Sequence, residues 1–104
     1  MTTAVFSMRG NEPCGVYVQG HSGYAALGED IVCSAVTSAV MTTLNGITEC
    51  TDIRCEVEVL ENEIILNLAE RKDIAEAFLM ALKIQLEYIR DEYDGTIKIT
   101  VTEV

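Results

Sequence analysis

The sequence predicts an α+β fold in which two helices pack on one face of an antiparallel or mixed sheet. Three observations predict it. Five short runs read as strands, four of them alternating apolar and polar residues as half-buried strands do. Two longer runs repeat apolar residues at helical spacing. The runs follow one another in the order β-β-α-β-β-α-β, which suits a single sheet with helices layered on it. The 104 residues read as a single domain, 1–104, large enough to bury a core without disulfides or metals.

In "MTTAVFSM", Ala4, Phe6 and Met8 fall on one side and Thr3, Val5 and Ser7 on the other, giving the first strand. "GNEP" supplies turn chemistry. "CGVYVQ" alternates again, with Cys14, Val16 and Val18 opposed to Tyr17 and Gln19, so the two runs make a β-hairpin. Cys14 is read as a core residue of that strand. A glycine-punctuated loop follows, and then "DIVCSAVTSAVMTTLNGI". Here Val32, Val36, Ala39, Val40, Leu44 and Ile47 recur at helical spacing. Its Thr and Val content lowers intrinsic helix propensity, so tertiary packing must hold this helix. Asn45-Gly46 is the expected C-terminal stop.

"CEVEVL" and "EIILNL" are the next two strands. Cys55, Val57 and Val59 are expected to face in, with Glu56 and Glu58 on a solvent face. "DIAEAFLMALKIQLEYIRDEY" is the second helix, with Asp73 and Glu76 at capping-box spacing and Asp94-Gly95 at its end. Around Phe78 to Leu82 it is apolar nearly all the way round, which suits a sheet on one side and a partner subunit on another. "TIKITVTEV" closes the chain as a strand with Ile97, Ile99 and Val101 facing in.

Composition narrows the function. Hydrophobic residues make up 49% of the chain, which argues against disorder despite a net charge of −10. Seven Lys and Arg in total argue against nucleic acid as a ligand. No run of 18 or more apolar residues occurs, so no membrane span is expected. "MTTAVFSMRG" lacks the basic head and apolar stretch of a signal peptide, so a cytoplasmic location is expected. There the four cysteines are expected to be thiols. Cys50 and Cys55 are five apart, with no C-x-x-C pair, so neither a metal nor a cofactor is expected.

The chemistry concentrates in "GHSGYAALGEDIVC", which holds the chain's only histidine, His21, and Cys33. With Asp30 as N-cap, Cys33 would lie in the first helical turn, where the helix dipole favours an anion and cysteines tend to be reactive. His21, held near that helix start, could exchange a proton with the sulfur and later protonate a leaving amine. Backbone amides at the helix start would face an oxyanion formed beside the sulfur. Gly23 and Gly28 would let the loop bend and open. Tyr24 is the loop aromatic that could touch substrate, or fold onto the sheet edge instead. The hydroxyls of Ser22 and Ser34 flank the pair, with local backbone bonds as their default. Other readings of the same residues stand beside this one. A buried cysteine is commonly a small hydrophobe. The chain could be a non-catalytic dimeric adaptor for an assembly partner, or a redox-sensing thiol protein. A proton-delivering histidine serves neither.

The stretch "GHSGYAALGEDIVCSAV" resembles the signature of the ribosomal-processing cysteine protease (Prp-like) family. Gly20, His21, Gly28, Asp30, Ile31, Val32 and Cys33 carry the resemblance, and the element order and chain length agree with it. Ser34 stands where the family often has Ala, and Thr37 where it often has Ser. The resemblance implies a cysteine endopeptidase with Cys33 as nucleophile and His21 as general base and acid. Asp30 and Thr37 would orient or cap, and Gly20, Ser22, Gly23, Tyr24 and Gly28 would form the substrate loop. It further implies that the substrate is the precursor of a large-subunit ribosomal protein, cut to remove an N-terminal extension during ribosome maturation. Aromatic residues would precede the scissile bond, and the enzyme would be a homodimer.

Overall fold

The computed structural model describes residues 1–20 and 27–104, with residues 27–30 described by their backbone. The elements are β1 (Thr2–Arg9), β2 (Glu12–Gln19), α1 (Leu27–Cys50), β3 (Cys55–Val59), β4 (Glu63–Leu68), α2 (Asp73–Glu92) and β5 (Ile97–Glu103). The order is the one the sequence predicts. The five strands form one mixed sheet, β3-β4-β2-β1-β5, in which only the β1–β5 pair is parallel.

One face of the sheet carries the core. Ala4 and Phe6 of β1, Val16 and Val18 of β2, Leu66 of β4 and Ile97 of β5 are buried together. Val32, Val36, Val40 and Ile47 of α1 and Leu79, Leu82, Leu86 and Ile89 of α2 close over them. Both helices therefore lie on that face. Ile31–Cys50 is by length and composition apolar enough to cross a membrane; in this fold its apolar stripe packs into the core.

The hairpin β1–β2 turns at Gly10, whose φ of 67° suits glycine. Its register shifts at a bulge between Ser7 and Met8, so Gly15 pairs with Ser7 and Pro13 with Met8. The bulge corrects the expected alternation. Pro13 takes the buried side and Cys14 is only half-buried, its Sγ donating to the Ser7 carbonyl at 3.3 Å.

Helix α1 extends beyond the expected bounds at both ends. It starts at Leu27, so Asp30 is its fourth residue rather than its N-cap and Gly28 is helical rather than a loop hinge. It also runs through Asn45-Gly46 to Cys50. Gly46 does not stop the helix because its role is packing: a Cβ there would lie 2.7 Å from Cε1 of Phe78. Thr43 and Thr48 hydroxyls donate to the carbonyls of Ala39 and Leu44, both at 2.9 Å, and Thr51 repeats the bond to Ile47 at 2.5 Å. The hydroxyls thus find partners along their own helix, although the β-branched residues that carry them lower its propensity. In α2, Lys72 is the N-cap with extended dihedrals and no side-chain cap bond. Asp73 is thus the first helical residue and the expected capping box is absent. Asp73 and Glu76 instead place negative charge at the dipole's positive end.

The two edge strands depart from the expected inward alternation. Val57 and Val59 point to the helix side, in register with Leu66 and Ile64, but are 38% and 54% exposed. Val101 of β5 is likewise exposed. Two helices cover the middle of a five-stranded sheet and leave its margins open.

Candidate active site

Cys33 is half-buried, seven residues into α1, and it stands at a groove of about 280 Å³. One wall of the groove is α1 itself. From Cys33 the spacing i, i+3, i+4, i+7, i+8 gives Val36, Thr37, Val40 and Met41, which all line it. The opposite wall is the β3–β4 turn, residues 59–64, and the floor is Thr2, Val18 and Gly20. The turn is a two-residue hairpin loop, closed by the Leu60 amide donating to the Glu63 carbonyl at 2.8 Å. The Gly20 amide donates to the Asn62 carbonyl at 3.2 Å, which fastens the end of β2 to that turn. A Cβ at residue 20 would come 3.1 Å from Thr2 Oγ1, so glycine lets the chain run close over β1.

The predicted site residues divide by position. Cys33, Gly20 and Thr37 meet at the groove. Thr37 is exposed, one turn after the cysteine. His21, Ser22, Gly23 and Tyr24 lie outside the described residues, and His21 is bonded directly to Gly20 of the groove floor. Asp30 and Gly28 belong to α1 by their backbone. Ser34 is exposed and is not among the residues of the groove.

The longer helix changes the electrostatic argument. The dipole acts mainly within the first turn, and Cys33 lies in the second. The reading that the helix entrance itself makes the sulfur anionic is corrected accordingly. The expected oxyanion donors at the helix start are corrected with it, because a residue past the first turn commits its amide to the helical ladder.

The apolar walls of the groove, Val36, Val40, Met41, Val59 and Leu60, are functional candidates that the sequence analysis missed. Those on α1 were legible from the helical period counted from Cys33. Those on β3 and its turn depend on tertiary contact and had no local signal.

The remaining cysteines have other surroundings. None of the four forms a disulfide. Burial raises the Cys55 thiol above its ordinary value, and Cys50 is exposed at the end of α1. Cys14 borders a smaller cavity of about 120 Å³ with Glu12, Glu76 and Arg71. The hydrogen bond from Arg71 holds Glu12 below the usual carboxylate range. Burial, reinforced by Glu12, pushes Glu76 above it. This cluster ties the β1–β2 hairpin to the segment before α2. Among the described residues, no three His, Cys, Asp or Glu side chains converge as metal ligands.

The chain is similar to known proteins along nearly its whole length. The family model described as cysteine protease Prp matches residues 1–98. An essential ribosomal processing protease Prp from S. aureus, solved with a substrate peptide, superposes with a TM-score of 0.91 at 20% identity, covering 98% of this chain and 100% of that one. The same protease with a covalently linked product peptide gives 0.88 at 21% identity over 98% and 100%. A protein from Streptococcus mutans gives 0.81 at 18% identity over 100% and 96%. No curated protein matches. At these identities the solved structures speak for the fold, and the family model speaks for descent and chemistry: the chain belongs to the cysteine protease Prp family and is a cysteine protease.

Proposed function

We propose that this protease removes the N-terminal extension of a large-subunit ribosomal protein, with Cys33 as nucleophile and His21 as general base and acid. One observation carries the reading. Cys33 opens onto a peptide-sized apolar groove whose floor includes Gly20, the residue bonded to His21. His21 takes the thiol proton as the sulfur attacks the scissile carbonyl. It then gives that proton to the departing amine, and water hydrolyses the thioester. Thr37, one turn along the same wall, contributes a hydroxyl to the groove rather than a charge. Asp30, inside α1, orients rather than caps, and Ser22, Gly23 and Tyr24 keep the substrate-loop role the family signature implies.

The S. aureus relative is a ribosomal processing protease and was solved with a substrate peptide, which supports a ribosomal precursor as the substrate here. The net charge of −10 suits a basic substrate of that kind. The site of action is the cytoplasm, where ribosomes mature. The working unit is a homodimer formed through α2, whose outer stripe of Ile74, Ala77, Ala81, Ile84 and Tyr88 is exposed at a 3-4 spacing.

The test is direct. The protein is incubated with the unprocessed ribosomal precursor and the product masses are read, with and without a thiol alkylator. A single cut near the N-terminus that the alkylator blocks is expected. An uncut precursor under conditions where the protein is folded would overturn the reading.

A further inference from the structure

The geometry points to the outer edge of β3 as the substrate-docking strand: an extended peptide adds there as a sixth strand, with apolar residues facing the groove alternating with basic residues on the other face. The argument rests on the cysteine-protease reading above and begins with hydrogen-bond parity. In an antiparallel pair, alternate residues exchange both backbone bonds with the partner, and the intervening ones turn their amides outward. Two bonds set the phase of β3 on β4. The Leu60 amide donates to the Glu63 carbonyl at 2.8 Å, and the Ala69 amide to the Arg54 carbonyl at 2.9 Å. Both pairs share the register that joins Glu56 to Asn67 and Glu58 to Ile65. Residues 54, 56, 58 and 60 therefore bond to β4. Cys55, Val57 and Val59 direct their N–H and C=O groups outward, because among the described residues β3 ends the sheet.

The side chains at that edge say what can dock. Val57 and Val59 lie on the helix side and are exposed, and Val59 lines the groove that Cys33 shares. A strand paired to β3 would place alternate side chains against these valines and the groove. The residues between would face Glu56 and Glu58. Among the described residues, no cation pairs with Glu56, Glu58 or Glu61. Glu63 is engaged differently, through the Tyr17 hydroxyl, whose ionisation it opposes. Glutamates on an edge strand protect it from pairing with another copy, since like charges would meet. The same charges attract a basic strand. The edge thus excludes a second copy of this chain and admits a cationic peptide, the β-augmentation mode in which backbone bonds give affinity and alternate side chains give specificity.

Amide hydrogen exchange tests this on the full chain carrying Cys33→Ala, so that peptide is bound and not consumed. The probe is a synthetic peptide spanning the processed junction of the ribosomal precursor. Without peptide, the amides of Val57 and Val59 should exchange faster than those of Glu56 and Glu58. With saturating peptide, Val57 and Val59 should become protected. On the peptide, N-methylation at alternate positions should weaken binding about tenfold or more, and at the intervening positions much less. Glu58→Lys should weaken binding about two- to fivefold and flatten its salt dependence. If the wild-type protein cuts the peptide while Val57 and Val59 stay unprotected in the complex, strand addition is wrong and the protease assignment stands. If the peptide is neither bound nor cut, the substrate assignment fails and takes this inference with it. Protection that grows with protein concentration alone would identify a second copy as the occupant and overturn the proposal.

Discussion

The two helices share one sheet face and are built from opposite materials. Helix α2 is made of strong helix formers, with Ala75, Leu79, Leu82, Leu86 and Ile89 buried along one side and charges on its flanks. Helix α1 is rich in Val, Thr and Ser, weaker formers by propensity, interspersed with Ala, and no basic residue stands in its last turn. What α1 gains from small side chains is close approach. The Phe78 ring of α2 rests against Gly46, and Thr hydroxyls fold back on their own helix. The comparison teaches a division of labour. Helix α2 holds the core in place, while α1 forms one wall of the groove and carries Cys33. Substitutions should therefore separate turnover from stability according to which helix they strike.

The largest effect sharpens the comparison from the α1 side. Cys33→Ala should lower cleavage of the ribosomal precursor by roughly 10⁴-fold or more. Its thermal midpoint should stay close to that of the parent, because the residue is half-buried and small. Mass spectrometry of the product and a melting curve check both halves. His21→Ala should also lower turnover by a large factor, and retained activity would show that another group takes the proton. Cys14→Ser serves as the control, with turnover nearly unchanged.

The next effect comes from α2. Leu82 is buried to 2% exposure in the common core. Leu82→Ala should cost about 2–5 kcal/mol in denaturant unfolding through the lost burial and the cavity left behind. The fraction that remains folded should keep its turnover per active site. If Leu82→Ala instead lowered turnover without lowering stability, the division of labour would be wrong.

How much of this was legible in the sequence follows the same physics. Alternation and helical period, which are local, gave the element order and most buried positions: Ala4, Phe6, Val32, Val36, Leu44 and Ile47 are buried as their spacing indicates. Errors arose wherever a long-range contact overrode local chemistry. Gly46 reads as a helix stop until Phe78 is seen against it. Cys14 reads as core until the bulge moves Pro13 into its place. Asp30 reads as a cap by residue type, yet the helix starts three residues before it. Of the site, Cys33 was legible because it is chemically distinctive in its motif, and its apolar neighbours across the groove were not, since Val59 and Leu60 reach it only through the sheet.

A substitution at the junction of the two helices tests their contact itself. Gly46→Ala would put a methyl 2.7 Å from Phe78 Cε1 and 3.0 Å from its Cζ. The intrinsic gain of Ala over Gly in a helix, about 1 kcal/mol, works in the opposite direction. Overpacking costs typically about 1–3 kcal/mol. The net expectation is a loss of about 1 kcal/mol, read as a lower denaturant midpoint at unchanged slope. Phe78→Leu in the same chain should recover part of it, a non-additivity that only a shared contact produces.

The smallest effect concerns the connections just outside the helices. Arg54 follows α1 and Glu70 precedes α2. Glu70 accepts the Arg54 backbone amide at 2.8 Å and its Nε at 3.3 Å. The backbone bond first, and the guanidinium after it, hold the Glu70 carboxyl below its ordinary 4.5. A depressed folded pKa means that the ionised form is the one the fold favours. The contribution is complete above the ordinary value and disappears as pH falls through the folded one. Both partners are solvated, so the effect is small. Glu70→Gln should therefore lower the thermal midpoint slightly at pH 7, and the difference from the parent should close on titration below pH 4.5. A difference that persisted undiminished in acid would mean that Glu70 acts through packing rather than charge, and that the two helices are joined at this end by shape alone.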